Sequence, residues 1–452
     1  MRYFPVHIHS DYSNAQLGFR DCVNTIDSLI AKHKKMGCEG VMLTDHGGMS
    51  GHVALEEACK NAGMKAVFGN EIYLVAEGLT GDNFERGTRF NHFVLVAKNR
   101  KGWEQLNELS TLAQSRMFVN AVKRIPNYLS DLARVINAGG QNLIATTACL
   151  GGLLNPLIQE FHRTKSEEVK NEIVSRIEYL EGLFGKGNFY LEIQPALYEE
   201  QRIYNGWLGA FSQLTGVPLI VGVDAHYIEK DDFDIHKAYL NSQDGKPRET
   251  EDFYRYTYLM EYEELREHLL QSEGLTEEMV DSAIANTLVV FEKCEQFSIS
   301  SPIVVPKTTP PPVEEWFAIP SNYKNIPEYE KFITSAEVDD RYFISQVVKG
   351  LEKFIASGEL DREEATQRIA TELDIVWEVT SKIHSSLSRY FTTMQKILEI
   401  IWRVSIVAPG RGSAAGFLIN YVMEITAVNP LKYGLDEWRF LHESRPELAD
   451  VD

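Results

Sequence analysis

Two imidazoles stand two residues apart near the start of the chain, in His7-Ile8-His9-Ser10-Asp11. Residues i and i+2 of a strand share a face, so a strand over Arg2–Ile8 would point both rings the same way and let them grip one metal ion. Residues of ligand type recur downstream at Asp45-His46, Glu71, His92, Cys149 and Asp224-Ala225-His226. Five of the twelve histidines sit beside predicted strands. A catalytic metal needs neutral imidazoles and carboxylates around open positions, and a cysteine among them favours zinc over magnesium. Each of these residues alone has an ordinary structural explanation; their recurrence at strand ends is what points to one site.

Two later stretches could act on phosphates. Pro409-Gly410-Arg411-Gly412-Ser413-Ala414-Ala415-Gly416 lies between the mostly apolar run Val404–Val407 and a helical stretch Phe417–Met423. Glycines at a strand-to-helix turn let backbone N–H groups approach a phosphate, and a helix N-terminus and Arg411 add positive potential. At the end, a strand through Leu448-Ala449-Asp450-Val451-Asp452 would put Asp450 and Asp452 on one face, able to hold two magnesium ions.

The elements that must position these residues alternate through the first half. An amphipathic helix carrying Ile26, Leu29, Ile30 and Met36 stops at Gly37, and the strand Gly40–Thr44 runs into Asp45-His46. A helix over about Val53–Asn61 leads to the strand Ala66–Phe68, followed by Phe93–Ala97 and Asn142–Thr147. Ser166 caps a helix closed by Gly185, and Phe189–Ile193 and Val217–Val223 are the last strands. Repeated strand–helix units with polar residues at strand ends predict a parallel (β/α) barrel with its site on the C-terminal face. A helical stretch over Glu277–Glu295 precedes seven prolines between 300 and 327. That density blocks helix and central strand alike and puts a boundary near residue 300. Beyond it, Asp361 and Glu364 open a helix with Ile369 and Leu373 inward, and a helix over Tyr390–Arg403 is apolar enough to be buried.

Composition bounds the function. The chain has 452 residues, 44% hydrophobic and 24% charged, enough for two or three cores. A formal net charge of −20 excludes a surface coated in positive charge for duplex nucleic acid, so a nucleic acid must be met locally or through metal ions. Five cysteines without regular spacing imply a reducing, cytoplasmic setting, and no apolar run approaches a membrane span.

The motifs His7-Ile8-His9-Ser10-Asp11-Tyr12-Ser13, Leu43-Thr44-Asp45-His46, Gly69-Asn70-Glu71-Ile72-Tyr73, His92–Asn99 and Asp224-Ala225-His226-Tyr227 resemble the PHP (polymerase and histidinol phosphatase) domain. Their wording is most similar to that at the N-terminus of the bacterial and phage C-family DNA polymerase III alpha subunit. The resemblance implies a (β/α)7 barrel holding up to three divalent metals, zinc, manganese or iron, through His7, His9, Asp45, His46, Glu71, His92, Cys149, Asp224 and His226. Members that keep every ligand are associated with metal-dependent 3′-5′ exonuclease action, and members that have lost ligands carry a proofreading subunit instead. Asn14–Gly18 lacks an acidic residue common there in relatives. Gly410, Arg411, Gly412 and Ser413 resemble the palm loop contacting the incoming nucleotide, and Phe440 through Asp450 and Asp452 the run into the first two catalytic aspartates.

The expected architecture is thus α/β: a PHP barrel with helical extension over 1–298, a proline-rich linker over 299–327 and an incomplete α+β polymerase palm over 328–452. The expected function is the N-terminal part of a replicative DNA polymerase, with a metal-loaded site hydrolysing DNA 3′ ends. Its partners would be DNA, dNTP with magnesium once completed by a C-terminal polymerase fragment, and replisome subunits, with no membrane. A truncated, split or intein-ligated chain fits the same reading. The alternatives are a non-catalytic scaffold for a proofreading subunit and a stand-alone phosphoesterase on a small ester.

Overall fold

A computed structural model describes residues 3–17, 20–79, 88–116, 118–119, 123–242, 251–301, 304–305 and 308–451. The chain divides into two compact units, Met1–Ser301 and Pro302–Asp452.

Among the described residues the first unit has nine strands: β1 (Gly40–Leu43), β2 (Lys65–Val75), β3 (Asn91–Ala97), β4 (Phe118–Val119), β5 (Lys123–Arg124), β6 (Pro126–Tyr128), β7 (Leu143–Thr146), β8 (Phe189–Ile193) and β9 (Leu219–Val221). Seven of them form one curled sheet in the order β1-β2-β3-β7-β8-β9, with β6 paired to the far end of β2, while β4 and β5 form a separate ladder. All pairs in the large sheet are parallel except β2–β3 and β3–β7. The all-parallel expectation fails at β3 because two strand signals there follow one another with no helical stretch between them, and such neighbours can pair antiparallel. The helices expected from periodicity form at Ile26–Lys35, His52–Ala62, Glu167–Phe184 and Glu277–Lys293. Ser166 caps the third, accepting from Val169 N.

Strands buried on both faces read as continuous apolar runs, and here the two faces are distinct. Val41, Leu43, Phe93 and Leu95 pack outward beneath helices with Leu29, Leu55, Leu106 and Ile177. Met42, Val67, Val94, Val96, Ile144 and Ile220 point inward and are joined by Phe4, Val6 and Phe291. The apolar filling of the interior leaves the polar residues to the other end.

The strand expected over Arg2–Ile8 does not form at its C-terminal end, where residues 6–9 were to present the two imidazoles. These residues instead form an extended segment with a single bridge, Ile8 to Ala225, because His7 has φ +65°, which no strand residue adopts. The segment still bridges the two edges of the sheet. Val223 N donates to Val6 O at 2.9 Å and His9 N to Ala225 O at 3.0 Å on one side, and Thr44 N donates to Ile8 O at 2.8 Å on the other.

The described residues of the second unit are helical, with no strand among them. Its helices Pro327–Ile333, Val338–Ala356, Arg362–Ile383 and Leu387–Ile401 enclose Phe343, Val347, Leu351, Ile369, Leu373, Val376 and Phe391. Asp361 caps the third helix, accepting from Glu364 N at 3.0 Å. Tyr323, inside the proline-rich stretch, is fully buried in this core. The palm strands expected at 404–407 and 448–451 are irregular, since neither meets a partner strand among the described residues. Val404 and Ile406 are exposed, and so is one flank of Leu387–Ile401 through Ile397 and Ile400, contrary to the buried helix expected. Its Leu387 and Phe391 face the core and nothing covers the opposite side among the described residues. No helix among the described residues is long and apolar enough to cross a membrane. All five cysteines are buried and unpaired.

Candidate metal centre

All the candidate ligands of the first unit but Glu71 are delivered by a strand end or the connection beside it. β1 runs into Thr44, whose Oγ accepts from Ile8 N at 2.9 Å and so ties the 6–9 segment to the sheet. Asp45 and His46 follow. Glu71 stands within β2, where His46 bridges to it. Reversed β3 delivers His92 at its start rather than its end, opposite Tyr73 in the ladder. Cys149 follows β7, and Asp224 and His226 follow β9. Three residues here, His7, Ala148 and Asp224, have left-handed backbone at φ +65°, +57° and +45°. Non-glycine residues in that region cost free energy and concentrate at functional sites.

The side chains converge. Asp224 Oδ1 lies 3.2 Å from His9 Nε2 and 3.4 Å from His7 Nε2. Glu71 lies 2.6 Å from His46 Nδ1, 2.7 Å from His92 Nδ1 and 3.4 Å from His7 Nε2. Cys149 Sγ is 3.5 Å from His92 Nδ1. Ring centroids of His9 are 4.1 Å from those of His46 and 4.6 Å from those of His226. Three sets have ligand atoms within 4.8 Å of one another: His7, His9 and Asp224; His9, His46 and His226; Glu71, His92 and Cys149.

Electrostatics keep Glu71 ionised. Burial works to raise Glu71, but His92, His46 and His7 hold it well below the usual carboxylate range. Burial opposes charge on His7, and Glu192, Asp224 and Glu71 together overcome it, holding His7 well above an ordinary imidazole. Burial and the neighbouring His46 drive His9 down to about 3. A pocket of ionised carboxylates and closely packed imidazoles suits a cation.

The fit to a metal can be tested on the buried atoms. His7 Nε2, His9 Nε2 and Asp224 Oδ1 are buried with no hydrogen bond, although they face one another across the pocket. Buried polar atoms are almost always satisfied. Three such atoms of ligand type, aimed at one point, fit a divalent cation.

Asp45 is placed differently from the other eight. Its carboxylate accepts from Ser10 N at 2.7 Å, from Ser13 Oγ at 2.8 Å and from Ser10 Oγ at 3.0 Å, and it belongs to none of the three sets. Asp21, which the sequence did not single out, also belongs to none of the three sets but faces two of their rings: its Oδ2 is 2.9 Å from His46 Nε2 and 3.4 Å from His226 Nε2. The absence of an acid in Asn14–Gly18 is thus followed by one three residues later. The Asn14 side-chain oxygen accepts from Asp21 N and Cys22 N, folding the loop so that Asp21 reaches the mouth. Tyr254 OH donates to Asp21 Oδ1 at 2.6 Å. His236 is buried and pairs through Nε2 with Asp21 O at 2.6 Å. Glu192, also missed, contacts His7 Nδ1 at 2.6 Å. Its signal was a lone acid inside the apolar strand Phe189–Ile193.

In the second unit, Gly410 and Gly412 have φ of +96° and +70°, and Gly412–Gly416 coil into a 3₁₀ turn. The helix behind it, Leu418–Val422, offers no free N-terminus. Leu418 N and Ile419 N donate to the Glu372 carboxylate at 2.7 and 2.8 Å, and Arg368 pairs with Glu372 at 2.8 Å. The turn itself carries Arg411 and Ser413. Asp450 is exposed, beside Ala449, whose carbonyl accepts from Tyr390 OH at 2.6 Å. Asp452 lies outside the described residues.

Residues 5–196, which carry most of the barrel and its mouth, match the PHP domain family. Residues 341–452 match the bacterial DNA polymerase III alpha NTPase domain. The chain therefore corresponds to the N-terminal PHP domain and the start of a DNA polymerase III alpha subunit. It is 34% identical to a DNA-directed DNA polymerase of Bacillus phage SPbeta over 99% of this chain and 36% of that one. It is 29% identical to the DNA polymerase III subunit alpha of Borreliella burgdorferi over 100% of this chain and 35% of that one. The chain spans about a third of the length of these relatives. Among solved structures, an amidohydrolase from Chromobacterium violaceum superposes with a TM-score of 0.31 at 13% identity, over 50% of this chain and 87% of that one, too loose a likeness to bear on function.

Proposed function

We propose that the barrel mouth is a divalent-metal site that hydrolyses the terminal phosphodiester of a DNA 3′ end, within a polypeptide of the replicative polymerase class. The observation that carries this reading is the convergence of His7 Nε2, His9 Nε2 and Asp224 Oδ1, buried and without hydrogen bonds, beside an ionised Glu71. His7, His9, Glu71, His92, Cys149, Asp224, His226 and His46, joined by Asp21, would hold zinc, manganese or iron. Bound cations of this kind lower the pKa of a water molecule and neutralise a phosphodiester.

The protein's own residues do the rest. Asp45 draws Ser10 and Ser13 onto the end of β1 and so fixes the loop that carries His9. Asp21 orients His46 and His226 together. With a net charge of −20, the chain has no overall attraction for a polyanion, so DNA must be drawn to the mouth by charge concentrated there. In the second unit, Gly410, Arg411, Gly412 and Ser413 contact nucleotide phosphates, and Asp450 and Asp452 take magnesium for DNA synthesis by the whole protein. DNA and the replication apparatus are its partners, in the cytoplasm.

The test uses the full chain. Elemental analysis should find bound divalent metal, and a 3′-labelled single-stranded oligonucleotide should lose its terminal nucleotide while a small phosphate ester is left intact. His9→Ala and Asp224→Asn should each cut the DNA reaction by about 100-fold or more. Metal-free protein, or variants with unchanged rates, sinks the proposal. Turnover of the small ester alone would select the phosphoesterase reading instead.

A further inference from the structure

Glu192 is a fully buried carboxylate in β8, between Leu191 and Ile193, in a strand buried at every residue. Such a group is costly to bury unless its oxygens are all engaged, and they are. Oε1 lies 2.6 Å from His7 Nδ1 and accepts from Gln194 Nε2 at 2.9 Å. Oε2 accepts from Thr146 Oγ, and the Glu192 backbone N–H donates to Thr147 Oγ at 2.8 Å. Residue 222 must be glycine, since a Cβ there would lie 2.0 Å from Glu192 Oε1. Residues from β7, β8 and the stretch after β9 are thus committed to setting one carboxylate against one ring nitrogen.

That nitrogen is distinctive among the histidines of the mouth. His9 turns Nδ1 to Ser13 Oγ at 3.3 Å, and His226 turns Nδ1 to the carbonyl of Asp224 at 2.8 Å. His46 has carboxylates on both sides, Glu71 and Asp21, but each of these also faces another ring of the mouth. Among the described residues, His7 alone of these rings has its Nδ1 against a carboxylate that faces no other ring of the mouth. His7 is also the ring whose backbone sits at φ +65°, where a clamp on the side chain helps to sustain the conformation.

We infer that Glu192 is a positioning residue: by keeping the proton on His7 Nδ1 it presents Nε2 to the pocket as the donor atom, and so sets how tightly the barrel holds its metal. Ligand histidines backed by a carboxylate in this way bind metal more tightly than unbacked ones. The inference rests on the metal-site reading above.

Zinc alone, titrated into the full chain against a competing chelator, should bind Glu192→Gln about 10- to 100-fold more weakly than the wild type. With His7→Ala already in place, Glu192→Gln should add no further loss. Unchanged affinity, or a penalty of equal size without His7, overturns the assignment. A second readout needs no metal. In the metal-free protein the His7 Nδ1 proton should resonate downfield, vanish in His7→Ala and move upfield in Glu192→Gln; a resonance that stays put overturns the positioning role. If the wild type binds no zinc, the metal-site reading fails, while this resonance still decides the role of Glu192. Should Glu192→Gln not fold, Thr146→Val and Gln194→Met carry the same test with smaller shifts of the same sign.

Discussion

At the residue scale, two acids near the mouth have different work, and substitution should separate them. The Asp21 carboxylate meets the rings of His46 and His226 and the Tyr254 hydroxyl, so Asp21→Asn is expected to lower zinc affinity about 10-fold or more with little change in unfolding free energy. Asp45 binds a backbone N–H and two serine hydroxyls, and burial pushes it up to about 6 in spite of them. Asp45→Ala is expected to cost about 1–3 kcal/mol in urea unfolding, because Ser10 N loses its acceptor. Equal effects of the two on metal content would contradict this division. His33 and His52 lie outside the cluster, and burial lowers both to about 4 from 6.5. The unfolded chain takes up these protons as pH falls from 6.5 towards 4 while the folded one does not. The stability each contributes is therefore complete above pH 6.5 and is lost over that interval, by about 3 kcal/mol per histidine. His52→Gln keeps a donor for Gly69 O and an acceptor for Trp103 Nε1. Urea midpoints of this variant should fall less steeply between pH 6.5 and 4.5 than those of the wild type.

At the scale of elements, the sheet explains why strand-end chemistry collects at one mouth although β3 runs backwards. A reversed strand presents its first residues where its neighbours present their last, and His92, the second residue of β3, arrives beside Glu71 and Cys149 for that reason. In the second unit the close element contact is between Val338–Ala356 and Leu418–Val422. A Cβ on Gly350 would lie 1.8 Å from Val422 O, a backbone atom that cannot turn aside. Gly350→Ala is expected to destabilise this unit by about 3 kcal/mol, read by urea unfolding, with zinc binding unchanged. A neutral outcome would mean that the two helices do not meet so closely. Glu372 explains a further difference from expectation. A helix N-terminus behind a glycine turn suggests a phosphate cradle, yet here an internal carboxylate already takes its first two N–H groups.

At the scale of the whole molecule, the two units have separate cores, and the candidate ligands at the barrel mouth belong to the first alone. Removing metal with a chelator should therefore loosen one unit. Hydrogen exchange is expected to rise in peptides covering residues 7–11, 45–46 and 224–226 and to stay level over 343–376. At a zinc concentration about 1,000 times Kd, the lost stabilisation is about 4 kcal/mol. Uniform loosening of both units, or none, would count against a structural metal in the barrel. How much of this was readable beforehand follows from the range of each interaction. The alternation of strands and helices, the caps at Ser166 and Asp361 and the ligand types at strand ends depend on neighbours within a few residues, and the sequence alone determined them. It also determined the family, through motifs that are themselves short. The tertiary structure decided what depends on distant partners. It turned β3 around, set His7 in a left-handed conformation against Glu192 from a strand 185 residues away, brought Asp21 rather than Asp45 to His46 and His226, and left Ile397 and Ile400 exposed. Sequence records which atoms can bind a proton or a metal, but only packing brings those atoms within a few ångströms of one another, and binding requires that proximity.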